Sequence, residues 1–222
     1  WLSIPDGIGI LWASTFQEST RRNGGMLRFF KAIFTLASLF FYPAYCRKIF
    51  PERITGVDLM ESICAASGRR ENPTQENQAH QIRIFLLGAK PGIAEKVKEF
   101  LETRYPGTQI VGCFSGSPNE DDFPAIQALI AETQPEILFV AYGAPAQELW
   151  IGEHIPKLKS VKIAMGVGGA FDFLAGEKKR APKWMQRLGI EWLYRLLQEP
   201  KRIKRIWNAA VVFPWKIFRR KA

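Results

Sequence analysis

The chain has 222 residues and a mass of 25.3 kDa, the size of one ordinary domain or of a domain with an appendage. At 47% hydrophobic and 23% charged it can bury a core, which excludes a wholly disordered protein. The formal net charge of +10 is localised: residues 1–176 hold 17 Lys/Arg against 18 Asp/Glu, and residues 177–222 hold 14 against three. A segregated surplus of this kind implies a polyanionic partner, either phosphate groups, nucleic acid or an anionic membrane surface.

The chain begins at Trp1 and not at Met, which reads as a segment whose N-terminal part is absent. Asp6, between Pro5 and Gly7 after apolar Leu2 and Ile4, is expected on a turn at a strand end. There it serves either as a general base or as a cap for the following helix. The stretch Met26–Cys46 is strongly apolar but interrupted by Arg28, Lys31 and Pro43, and its uninterrupted part, Ala32–Tyr42, is too short to span ~30 Å of hydrocarbon. It reads as a buried or partner-packed helix, or as a helix or hairpin dipping into a membrane interface.

Strands and helices then alternate. Strands are expected at Ile82–Gly88, Gln109–Phe114, Glu136–Tyr142 and Lys162–Val167. Helices are expected at Ile93–Tyr105, Phe123–Thr133 and from about Gln147 to Ile155. Near-continuous apolar strands separated by helices predict an α/β fold: a Rossmann-like, mostly parallel sheet with helices on both faces. After it comes a basic amphipathic helical appendage, in which Trp184, Leu188, Trp192 and Leu196 recur every four residues and line one helix face. The terminal IKRIWNAAVVFPWKIFRRK resembles a basic interfacial anchor. The expected division is an α/β core at 1–176, carrying the apolar insertion 26–46, and an appendage at 177–222.

Three turns carry glycine: Gly88-Ala-Lys90-Pro-Gly92, Tyr142-Gly143-Ala-Pro-Ala-Gln147, and Gly166-Val-Gly168-Gly169-Ala-Phe-Asp172. Each follows a predicted parallel strand, so the three lie along one edge of the sheet and describe a site for a phosphate-bearing ligand. None is GxGxxG or a Walker sequence, which argues against an NAD(P)-dependent oxidoreductase and against ATP hydrolysis. Cys46, Cys64 and Cys113 form no CxxC, and the only histidines are His80 and His154. A disulfide framework and a zinc site are not expected, and a reducing compartment is.

The segments PDGIG, PERITGVDL, FLLGAKPGIAEK, ILFVAYGAPAQE and GVGGAFDFLAGEKKRAPKWMQRLGIEWLYRLLQEPKRIKR resemble the TagA/WecG/CpsF-type bacterial glycosyltransferases, glycosyltransferase family 26, from Pro5 to about Arg205. The resemblance implies a metal-independent, cofactor-free enzyme at the cytoplasmic face of the membrane. It would move an N-acetylamino-hexose, typically N-acetylmannosamine, from a UDP-sugar donor to a polyprenyl-diphosphate-linked acceptor in cell-surface polysaccharide or teichoic acid synthesis. It makes Asp6 the catalytic base, sets Gln147 against the donor or the reacting sugar, and puts Arg53 in the same pocket. Arg195, Arg202 and Arg205 would reach the acceptor diphosphate or the leaving UDP, on one helix face if Pro200 leaves the helix unbroken; the plain alternative for each is a solvated surface charge. Lys90 and Asp172 sit in the matching turns. Two features depart from the family. A Thr-x-Asn-type N-terminal stretch is missing, and the apolar link between Trp12 and Pro51 is long, which suggests an added membrane or homo-oligomer contact. A nucleotide- or nucleic-acid-binding module is the alternative function. It fits less well, because the basic residues alternate with long aliphatics and tryptophans and do not form a solvated arm.

Overall fold

The computed structural model describes residues 8–21, 25–41, 45–46, 49, 54–68, 81–179, 181–182, 184–185, 191–200 and 203–219. Two compact units emerge, one of residues 56–179 and one joining residues 1–55 to 180–222. The helical unit thus unites both ends of the chain, whereas the linear reading set only residues 177–222 apart.

The central unit is the expected α/β fold. Strands β1 (Arg83–Gly88), β2 (Gln109–Phe114), β3 (Ile137–Ala141) and β4 (Ile163–Gly166) form an all-parallel sheet in the order β2-β1-β3-β4. Helices α3 (Gly56–Ser67), α4 (Ile93–Arg104), α5 (Phe123–Thr133), α6 (Ala146–His154) and α7 (Ala170–Leu174) cover it. The apolar strands are continuous because both faces are buried. Ile84, Leu86, Ile137 and Phe139 pack with α3, α4 and α7, while Phe85, Leu87, Leu138 and Val140 pack with α5 and α6. On α4 the buried residues Ile93, Ala94, Val97 and Leu101 recur at helical spacing, so a half-charged sequence still offers one apolar stripe. Chain order reverses between β1 and β3, since β2 is added on one side and β3 with β4 on the other. The crevice beyond the carboxyl ends of the strands at such a switch point is where open α/β sheets bind ligands.

In the helical unit, α1 is Ile8–Thr20, α2 is Gly25–Phe41, α8 is Glu191–Gln198, α9 is Ile203–Trp207 and α10 is Phe213–Arg219, with a wider π turn, Asn208–Val212, before α10. Its core is small: Trp12, Ala13, Phe16, Ala32 and Cys46, with Phe213, Ile217 and Phe218 packed against them. Trp12 and Phe16 stack with ring centroids 5.2 Å apart, and Trp12 Nε1 donates to Thr35 Oγ1 at 3.0 Å. Helix α8 ends at Gln198, two residues before Pro200, and α9 starts at Ile203. Proline disfavours helical backbone in the residue before it and lacks the N–H a continuing helix needs. Arg195 therefore lies on α8 and the backbone of Arg205 on α9, so the two do not share one continuous helix, and Arg202 lies outside the described residues. Leu188 of the expected apolar stripe lies outside the described residues, and Trp184 and Trp192 of that stripe are exposed. Among the described residues no helix is long and apolar enough to cross a membrane.

Candidate functional site

The three glycine turns leave the carboxyl ends of β1, β3 and β4, which are neighbours in the sheet. The first begins where Gly88 pairs with Ala141, and Ala89 N donates to Ala141 O at 3.3 Å. Gly88 takes φ 99°, and a Cβ there would lie 2.9 Å from the Tyr142 ring, so both backbone shape and close approach demand glycine. Ala89 follows at φ 67°, unusual for a residue with a side chain, and the chain then enters α4 at Gly92. No side chain caps α4; Ile93 N donates to Lys90 O at 3.1 Å, which leaves the N–H groups of Ala94 and Glu95 in its first turn for an anion.

Gln147 organises the other two turns. It is 6% exposed, on the first turn of α6 behind the cis peptide Ala144–Pro145. Its Oε1 accepts from Gly143 N at 3.1 Å and from Gly168 N at 2.9 Å, while Nε2 donates to Glu148 Oε1 at 2.9 Å. One side chain therefore ties the turn after β3 to the turn after β4. Gly166 makes room for it, since a Cβ there would lie 2.5 Å from Gln147 Nε2. The sequence suggested a sugar contact for Gln147; in the fold its carbonyl oxygen braces two turns and only the second Nε2 proton is left for a ligand. The turns also border open space, because a Cβ added at Gly92, Gly143 or Gly169, one in each turn, would meet nothing within 4 Å.

Asp172 is held at home. Its Oδ2 lies 2.7 Å from Lys178 Nζ, and its carbonyl accepts from Lys178 N at 3.0 Å, which closes the turn after α7. Next to it Lys96 Nζ donates to Glu177 Oε1 at 2.6 Å. Lys96 holds the Glu177 carboxyl below the usual carboxylate range, with a smaller contribution from Lys90. Lys90 itself is exposed at the mouth of the first turn. Lys96, Lys178 and Glu177 escaped the sequence reading; partners 81 residues apart leave no periodic trace, although GEKK is a visible charge run.

In the α/β unit the structure thus brings Gly88, Lys90, Gly92, Gly143, Gln147, Gly168, Gly169 and Asp172 to one edge of the sheet. Asp6, Arg53 and Arg202 lie outside the described residues, as does the side chain of Arg205, whose backbone is in α9. Arg195 is engaged within α8: its Nε donates to Glu191 Oε1 at 3.0 Å, Nη2 reaches the same oxygen, and Glu191 is buried.

Burial raises all three thiols, that of Cys64 to about 12, so none is a nucleophile at neutral pH. Among the described residues one group, Glu120, Glu153 and His154, gathers donor atoms within 4.8 Å of one another. His154 is buried in an aromatic stack with Phe123 (centroids 4.2 Å apart) and Trp150 (4.9 Å), which accounts for its position without a metal. Nearby, Tyr142 Oη and Trp150 Nε1 are buried with no hydrogen-bond partner among the described residues. Burial, helped by the charge of Asp122, pushes the Tyr142 phenol up.

Compared with known families, residues 37–222 match the model of the Glycosyl transferase WecG/TagA/CpsF family. The matched span takes in all three turns and Arg53, and begins after Asp6.

Proposed function

The chain belongs to the WecG/TagA/CpsF glycosyl transferase family, glycosyltransferases of cell-surface polysaccharide synthesis, and on that premise we propose a specific reaction for it. The donor is a UDP-N-acetylamino-hexose, with N-acetylmannosamine first in line, and the acceptor is a sugar on a polyprenyl diphosphate such as undecaprenyl diphosphate. The observation that carries this reading is the trio of turns at the switch point, braced by Gln147 and open at Gly92, Gly143 and Gly169. Backbone amides at a helix start and a flanking Lys90 suit a diphosphate.

The chemistry is one displacement. The acceptor hydroxyl oxygen bonds to the anomeric carbon as the bond from that carbon to the UDP oxygen breaks, which inverts the configuration. The hydroxyl proton passes to Asp6, and the bonding electron pair leaves with UDP. The developing charge on UDP is met by the free amides of α4 and by Lys90, without a metal, while arginines of the basic C-terminal segment hold the acceptor diphosphate. Gln147 serves as a positioning residue: it fixes Gly143 N and Gly168 N, so the turns are rigid before the donor arrives. The reaction takes place at the cytoplasmic membrane surface, where a polyprenyl acceptor resides.

A donor screen tests the reading. UDP release is measured with several UDP-amino-sugars and a short-chain lipid-diphosphate acceptor, with and without EDTA. Acceptor-dependent release that survives the chelator is expected, fastest with the N-acetylmannosamine donor. Release from none of these donors would refute the donor assignment, and a metal-reversible loss would refute the metal-independent mechanism.

A further inference from the structure

Helix α2 is inside out. Met26, Leu27, Phe30, Ile33, Phe34 and Ala37 share one face at 3.6 residues per turn, and all are exposed, the five large ones by 51–76%. The opposite face carries the small and hydroxylated residues Ala32, Thr35 and Ser38, and these are buried. This is the reverse of a surface helix in water, whose apolar stripe faces the core.

The inversion is fixed by partners. Thr35 Oγ1 receives the Trp12 indole N–H, Ser38 Oγ lies 3.1 Å from Cys46 Sγ, and Lys31 Nζ donates to Ser19 O at 2.6 Å. Turning α2 half a revolution would bury Phe30 and Phe34 but strand the buried Trp12 indole N–H and part Lys31 from Ser19 O, while the two hydroxyls would keep only the carbonyls of their own helix. The outward face is therefore specified, and a contiguous apolar patch of this kind marks an interaction surface.

Charge and continuity identify the occupant. The helical unit, residues 1–55 with 180–222, holds 19 Lys/Arg against five Asp/Glu, a surplus of +14, whereas residues 56–179 carry −4. Two copies meeting through α2 would bring two +14 units together, while an anionic surface complements one. The apolar face also continues onto α10: Phe29 packs edge-on against Phe218 at 6.3 Å, and Phe218 stacks on Trp215 at 6.1 Å. Trp215 and Trp207 are 59% and 61% exposed, and Lys216 and Arg219 are exposed beside them. Outward Trp and Phe flanked by cations suit the boundary between headgroups and acyl chains. With 17 residues, ~25 Å at 1.5 Å per residue, α2 is too short to cross a ~30 Å hydrocarbon core.

We propose that α2 is a membrane-inserting element, lying in the plane of an anionic bilayer with Met26, Leu27, Phe30, Ile33 and Phe34 among the upper acyl segments. Lys216 and Arg219 contact the headgroups. These five apolar residues precede residue 37, where the family match begins. The choice of a bilayer rests on the lipid-linked acceptor read above.

The test is co-sedimentation of the full chain with phosphatidylglycerol/phosphatidylethanolamine vesicles that carry no substrate. Phe30→Ser, Ile33→Ser and Phe34→Ser together should lower the partition coefficient at least tenfold with unchanged circular dichroism. Lys216→Gln with Arg219→Gln should lower it a few-fold and weaken its salt dependence. Ala37→Leu, which enlarges the outward face, should raise it. Unchanged pelleting of the triple variant would overturn the proposal, as would no pelleting of the wild type. So would a lipid-free dimer that the triple variant dissociates while vesicle binding is absent. Failure of the proposed function reads out separately, because vesicle binding needs no turnover. Conversely, the triple variant should keep wild-type turnover on a water-soluble short-chain acceptor.

Discussion

Gly166→Ala probes the brace directly. The new Cβ would lie 2.5 Å from Gln147 Nε2, 2.8 Å from Cδ and 3.0 Å from Cγ, so the side chain must move by roughly an ångström to reach ordinary contact. It cannot do so freely, because Oε1 is held by Gly143 N at 3.1 Å and Gly168 N at 2.9 Å. Two hydrogen bonds worth ~1 kcal/mol each are lost and two part-buried amides lose their partner, for a total of about 2–4 kcal/mol. In a chain of this length that lowers Tm by roughly 5–12 °C. The decisive assay is a double-mutant cycle with Gln147→Ala, followed by thermal unfolding. Gln147→Ala should be destabilising by itself, and Gly166→Ala in that background should cost less than ~0.5 kcal/mol, because the clash has gone. Additive costs, or a Gly166→Ala protein as stable as the wild type, would refute the reasoning. Donor affinity should fall in both single variants, since the turn amides lose their fixed positions.

Further outcomes follow from the same structure. Tyr142→Phe keeps the ring packed on Trp150 (centroids 5.7 Å apart) and removes a buried hydroxyl without a partner, so Tm should hold or rise; a loss above ~1 kcal/mol would show that the hydroxyl is paired. Burial, with Glu61 adding to it, raises the Cys64 thiol from 9.0 to about 12, so the folded state keeps a proton that the unfolded state releases. That stabilisation is complete below pH 9.0 and is lost as pH rises towards about 12; urea midpoints should fall over this window, and less steeply in Cys64→Ala. Asp6→Asn should lower kcat by ~10²–10⁴ with donor affinity unchanged, and turnover within a few-fold of wild type would make Asp6 a turn residue only.

The sheet was legible because each strand is a short apolar run bounded by turn residues: Gln109–Phe114 and Phe123–Thr133 fall where the pattern put them. The three turns followed from the topology, since a parallel sheet must deliver every strand-to-helix connection to the same edge. The work of Gln147 did not follow. A sequence shows the hydrogen-bonding capacity of an amide but not that Gly168 N, 21 residues away, will use it. For α2 the period shows two faces, but not which is inward. That depended on Trp12 and Cys46, which supply partners for Thr35 and Ser38 across 23 and eight residues.

The division of charge also separates two roles for the basic segment. The turns proposed to hold the donor sit in a unit of net charge −4, and the +14 surplus lies in the helical unit. If the surplus works on the membrane and on a lipid-linked diphosphate, salt should act on acceptor use and leave donor use alone. Exposed basic side chains near an anionic surface contribute ~1 kcal/mol each, screened within a Debye length of about 8–10 Å at ordinary ionic strength. Free amides at the start of α4 are fixed dipoles that, in the proposed donor site, would touch the diphosphate directly, and added salt screens such contacts far less. Raising sodium chloride several-fold should therefore raise the KM for vesicle-presented acceptor several-fold, while the KM for the UDP-sugar changes less than about twofold. A parallel rise in both would place the arginines of the basic segment on the donor diphosphate and refute this division.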